Sequence, residues 1–189
     1  MRNALILHGM PSREEYFDPE APSPSHRHWL PWLQRQLLLA GVLTQTPELP
    51  KPYEPVYEAW RDVVERFEIT EETMLVGHSC GAGFLVRWLS ESSRRAGRVA
   101  LVAPWLDPLH ELETGFFDYS IDARLVERTD GVVVLVSRDD NDEILASVAT
   151  LRDSLPGIEL IELDGFGHFT DSNMTTNALP ELLAALLIV

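Results

Sequence analysis

Six short apolar runs, separated by stretches of helical spacing, recur along the chain, and no other feature limits its architecture as much. The runs are Asn3–Leu7, Val42–Thr46, Thr73–Val76, Arg98–Val102, Val132–Val136 and Ile158–Ile161. They are rich in Val, Ile and Leu and show little polar alternation, as expected of strands covered on both faces of a parallel sheet. Between them, His28–Ala40 carries Trp29, Trp32, Leu33 and Leu37 and stops at Gly41, a residue suited to a helix C-cap. Val56–Phe67 places Trp60, Val63, Val64 and Phe67 on one face. Gly81–Ser93, Asp142–Ser154 and Leu179–Leu187 have the same spacing. This alternation predicts an α/β fold of three layers, with about six mostly parallel strands in one domain over residues 1–189.

Two proline-rich segments interrupt the rhythm: Tyr16–Ser25, with Pro19, Pro22 and Pro24, and Thr46–Pro55, with Pro47, Pro50, Pro52 and Pro55. Proline fixes φ and removes a donor, so both are expected to be loops. Too few residues lie between Ala103 and Gly131 for a separate cap domain, so an open site is expected.

A chain of 189 residues is long enough to bury a substantial core. Its net charge of -15 repels phosphate backbones, which argues against nucleic acid as a partner. No apolar run approaches the roughly 20 residues of a membrane span. The apolar stretch before His8 falls short of the roughly 7 residues of a secretory signal's apolar region. The single cysteine, Cys80, permits neither an internal disulfide nor a cysteine-based metal site. These features together point to the cytoplasm.

The most informative motif is Gly77-His78-Ser79-Cys80-Gly81, set between the run ending at Val76 and the helical stretch from Gly81. A G-x-S-x-G pentapeptide between strand and helix is the setting of a nucleophile elbow. There a serine hydroxyl stands clear on a strained turn beside a helix N-terminus. By this reading Ser79 is a nucleophile, and the backbone N–H of Cys80 is an oxyanion donor. The Cys80 thiol and the His78 ring, which should turn away from Ser79, read as packing residues.

A serine hydroxyl needs a base, and imidazole suits neutral pH. Of six histidines, only His168 follows the last run, in Gly165-Phe166-Gly167-His168-Phe169, whose glycines let the loop swing over the sheet. His26 and His28 suggest a metal pair, but no third ligand stands near them and a loop surface is the plainer reading. No metal or other cofactor is implied. The carboxylate that would orient the base lies in Ser137-Arg138-Asp139-Asp140-Asn141-Asp142. Composition leaves Asp139 and Asp140 open, marks Asp142 as a helix cap, and keeps Asp107 as an outside candidate.

These residues resemble the family of small serine hydrolases that includes human retinoblastoma-binding protein 9 and bacterial YdeN, within the α/β-hydrolase superfamily. The resemblance rests on Leu5-Ile6-Leu7-His8-Gly9-Met10, His28-Trp29, Pro50-Lys51-Pro52 leading to Trp60, Gly-His-Ser-x-Gly, Ser137-Arg138-Asp139-Asp140 and Gly167-His168-Phe169. It implies an α/β-hydrolase sandwich and Asp140 as the acid of a Ser79–His168–Asp140 triad. The His8-Gly9-Met10-Pro11 turn resembles that of larger hydrolases and implies the N–H of Met10 as the second oxyanion donor. One departure is Asn141-Asp142-Glu143-Ile144, which stands where the family often has a proline-containing segment.

The reaction expected is hydrolysis of a small ester, or an amide, through an acyl-enzyme. Trp105, Phe117 and Phe169, with Phe116 and Tyr119, are the candidate lining of an acyl pocket. Peptide or aminoacyl hydrolysis and a protein-interaction role with a retained triad are the alternatives.

Overall fold

In the computed structural model, which describes residues 2–187, the chain forms six parallel strands and six α-helices. In chain order the strands are β1 (Asn3–Leu7), β2 (Leu43–Gln45), β3 (Met74–His78), β4 (Val99–Val102), β5 (Val132–Ser137) and β6 (Glu159–Leu163). The helices are α1 (Arg13–Phe17), α2 (Leu30–Leu39), α3 (Tyr57–Val64), α4 (Cys80–Glu91), α5 (Asp142–Ser154) and α6 (Pro180–Leu186). Across the sheet the order is β2-β1-β3-β4-β5-β6, and every neighbouring pair is parallel. The fold is that of an α/β-hydrolase. The connection leaves β1 toward β2 on one side and returns to β3 on the other. This reversal opens a crevice at the carboxyl ends of β1 and β3, where open α/β sheets bind ligands.

The expectation of strands covered on both faces holds for the inner strands and fails at the edges. β3, β4 and β5 are buried throughout, and β1 from its second residue onward. β2 buries only its central Thr44, and β6 exposes Glu159 and Glu162, because an edge strand has one neighbour. β3 runs on to His78, so the strand delivers its last residue directly to the elbow. α2 starts at Leu30 rather than near His28, whose φ of 58° is incompatible with a helix.

One helix lies partly inside the first proline-rich segment. Ser12 Oγ accepts from the N–H of Glu15 at 3.1 Å and caps α1, a Ser-x-x-Glu pattern legible in the sequence. A 3-10 turn follows at Pro24–His26. Between Ala103 and Gly131 only a further 3-10 turn, Val126–Arg128, interrupts the loop. Arg87 holds that loop to α4: its Nη1 donates to the carbonyls of Gly115 at 2.7 Å and Phe116 at 2.8 Å, and its guanidinium lies 3.7 Å from the Tyr57 ring centre. Phe116 itself is fully buried against Trp60, Phe84 and Tyr57. Among the described residues no helix is long and apolar enough to cross a membrane.

Candidate active site

Ser79 sits between β3 and α4 with φ 54° and ψ −121°, a backbone conformation that non-glycine residues rarely adopt. Its N–H donates to Val102 O at 2.9 Å, and its carbonyl accepts from Ala82, Gly83 and Trp105. The surrounding glycines are sterically required. A Cβ on Gly77 would meet the Ala82 Cα at 2.5 Å, and one on Gly81 would run into the carbonyls of His8 and Leu7. Gly9 approaches so closely that its Cβ would lie 3.0 Å from that of Ser79. The elbow is therefore a close approach of β1, β3 and α4.

The structure brings His168 to this serine. Its Nε2 accepts from Ser79 Oγ at 2.9 Å, while Nδ1 donates to the Asp140 carboxylate at 3.1 and 3.2 Å. The Asp140 side chain is 1% exposed and that of His168 26%, so the carboxylate is covered and the ring faces the cleft. Because a carboxylate can only accept, Nδ1 carries the ring proton and Nε2 is free to take one.

The neighbouring acids have different duties. Asp139 turns away from the ring and accepts from the N–H groups of Gly165 at 3.0 Å and Gly167 at 3.3 Å, and from the Ser137 hydroxyl. The Ser137 hydroxyl bond and those two amides hold its carboxyl below the usual carboxylate range. Asp107, buried after β4, accepts from the amides of Glu111 and Leu112 and closes a turn. Asp142 is the first residue of α5, and Asn141 is its cap, accepting from Ile144 N–H.

Three other histidines gather round the site. His8 is buried, with Nε2 accepting from Leu49 N–H at 2.9 Å and Nδ1 donating to Gly9 O at 2.8 Å. Burial pushes its titration below the ordinary histidine value. His78 Nε2 donates to the carbonyl of His168 at 2.9 Å, and burial, with His168 as a further cause, pushes it well below that value. It is more than the packing residue expected. His28, expected on a loop surface, lines the cleft: its Nδ1 accepts from Asp171 N–H at 3.1 Å. Burial lowers its titration too, against the opposing pull of the Asp171 carboxylate. No sequence signal links His28 and Asp171, which are 143 positions apart.

Two cavities meet at Ser79 and His168. The larger, about 380 Å3, has Glu15, Arg27, His28, Thr170, Asp171 and Ser172 on its walls. The smaller, about 150 Å3, is lined by Met10, Trp105, Asn141, Glu143 and Ile144. Met10 borders both, and among the described residues its amide and that of Cys80 engage no backbone or side-chain acceptor. The Cys80 thiol is buried, and burial pushes its titration well above the ordinary value.

Of the aromatic residues expected to line a pocket, only Trp105 does so, its Nε1 donating to Glu143 Oε2 at 2.8 Å. Phe117 is corrected to a support, standing edge-on behind Trp105 with a centroid distance of 5.5 Å and pressed against Gly83. Phe169 is corrected to a core residue: a φ of 55° turns it inward, fully buried, to stack on Phe166. Phe116 belongs to the core as well, and Tyr119, half-buried, packs against it. Among the described residues no group of three or more His, Cys, Asp or Glu is placed to hold a metal ion.

Comparisons with known proteins show the family and the fold. The model of the family described as Serine hydrolase matches residues 21–186. The hydrolase YdeN of Bacillus subtilis (strain 168) is 30% identical over 165 residues, covering 81% of this chain and 84% of YdeN. The crystal structure of the B. subtilis ydeN product superposes with a TM-score of 0.82 at 26% identity, over 98% of this chain and 97% of that one. Est1E from Butyrivibrio proteoclasticus shares the fold at 12% identity and a TM-score of 0.62, over 90% and 81% of the two chains.

Proposed function

The chain belongs to the serine hydrolase family, and on that premise we propose that it hydrolyses small esters through a Ser79–His168–Asp140 triad. The observation that carries this reading is the continuous bond path from Asp140 through the His168 ring to Ser79 Oγ. His168 Nε2 takes the hydroxyl proton as Oγ attacks the substrate carbonyl carbon. Asp140 fixes the tautomer and stabilises the imidazolium that forms. The N–H groups of Met10 and Cys80 are free to receive the carbonyl oxygen as it becomes negative, Cys80 from the first position of α4. His168 then returns the proton to the departing oxygen, and water, activated by the same nitrogen, releases the acid from Ser79.

The dimensions of the site favour a small substrate. The cavity beside Trp105, about 150 Å3, is on the scale of a short acyl chain. The larger cavity has charged and hydroxylated walls and suits a polar leaving group.

A fluorophosphonate probe tests the chemistry. The folded protein should label, and Ser79→Ala should abolish labelling and lower turnover on the order of 10⁶-fold. Absence of labelling in the folded wild type refutes the triad. A panel of short-chain esters and aminoacyl amides then ranks ester against amide, and faster cleavage of the amides would replace the ester reading.

A further inference from the structure

The base reaches the nucleophile from a loop with no secondary structure of its own between Leu163 and Pro180. A base 1 Å out of place can lose on the order of 10²-fold in rate, so whatever fixes this loop fixes the reaction. Asp139 and Ser137 hold Gly165, Phe166 and Gly167, which precede His168. Asn173 Oδ1 accepts from the N–H of His168 at 3.2 Å. Among the described residues, one donor reaches the carbonyl of His168: Nε2 of His78, at 2.9 Å.

His78 is the residue immediately before Ser79, and it is the last residue of β3. The strand that carries the nucleophile thus also grips the main chain of the base, and the two attachment points are one residue apart. The His78 ring is enclosed by the rings of His28, Trp29 and His168, at centroid distances of 5.6, 5.7 and 5.1 Å, and has little freedom to turn.

We propose that His78 is a positioning residue, whose Nε2–H, by holding the carbonyl of His168, sets the distance between His168 Nε2 and Ser79 Oγ. The inference rests on the triad reading. A carbonyl can only accept, so Nε2 carries a proton, and burial keeps the ring neutral with that single proton.

The test compares His78→Gln, whose amide nitrogen reaches the place of Nε2, with His78→Asn, too short to reach it, and His78→Leu. Turnover of the best ester in the panel should fall about 10- to 100-fold in His78→Asn and His78→Leu, with KM little changed. His78→Gln should recover most of the loss. Equal impairment of His78→Gln and His78→Asn, or kcat within twofold of wild type in His78→Asn, would overturn the proposal. Should His78→Leu not fold, the Gln and Asn pair decides alone. Nitrogen-15 NMR of the wild type reads the bond separately from turnover. A slowly exchanging Hε2 proton on His78 supports the inference, and its absence overturns it, even if the triad reading has failed by the probe.

Discussion

The two halves of the proposed catalytic machinery are built by opposite means. The elbow that carries Ser79 is made by steric exclusion: Gly9, Gly77 and Gly81 let three backbones approach to distances that a single methyl group would prevent. The loop that carries His168 is made by polar contacts from distant positions, Ser137, Asp139, His78 and Asn173. A close-packed backbone junction depends on small residues at its crossing and fails by unfolding. A loop held by hydrogen bonds is written across the chain and fails by losing alignment, with the fold left intact.

That contrast can be broken by experiment. The largest effect is expected from Asp140→Asn, which disturbs the tautomer of His168. Its kcat should fall on the order of 10⁴-fold while the fold is retained. Comparable loss in Asp139→Asn would show that the acid has been misassigned. On the elbow side, Gly81→Ala forces a methyl group against the carbonyls of His8 and Leu7. It should destabilise the protein by about 1–3 kcal/mol, read as a lower urea midpoint. An unchanged midpoint would mean that the junction yields more easily than its contacts suggest.

On the loop side, Asp139→Asn removes a charged acceptor shared by Gly165 and Gly167. Turnover should drop roughly tenfold, as a base displaced by less than 1 Å implies. The thermal midpoint should barely move, and a fall as large as that of Gly81→Ala would erase the distinction.

The smallest effect sharpens the role of the buried histidines. His8 and His78 titrate below their ordinary value in the fold, chiefly because burial disfavours the charged ring. In the unfolded chain they titrate near about 6.5. The unfolded state therefore binds more protons as pH falls through that value, and stability drops with acidification. The slope approaches about 1.4 kcal/mol per pH unit for each ring until the folded value is reached. Urea unfolding at a series of pH values from neutral to mildly acid measures it, and a flat profile would mean that neither ring is held neutral.

Much of this was legible before any coordinates. The inner strands stand within two residues of their apolar runs, because burial on both faces leaves an unbroken signal. The helical spacing over Asp142–Ser154 coincides with α5. β6 also lies within two residues of its run, although as an edge strand it mixes Glu159 and Glu162 into the pattern. α1 runs into the first proline-rich segment, which masks it in the sequence although Ser12 and Glu15 mark its start. Asp139 and Asp140 were indistinguishable by composition; opposite side-chain directions at adjacent positions separate them.

Local chemistry thus determined the strand–helix alternation, the glycine-flanked Ser79 and a glycine-bearing loop ending in His168, since each depends on residues close together in the chain. Tertiary structure alone decided that His78 holds the carbonyl of His168, that His28 meets Asp171, and that Phe169 points into the core while Trp105 faces the site. Those outcomes depend on which side chains meet across the sheet's carboxyl edge, and spacing along a chain does not encode direction in space.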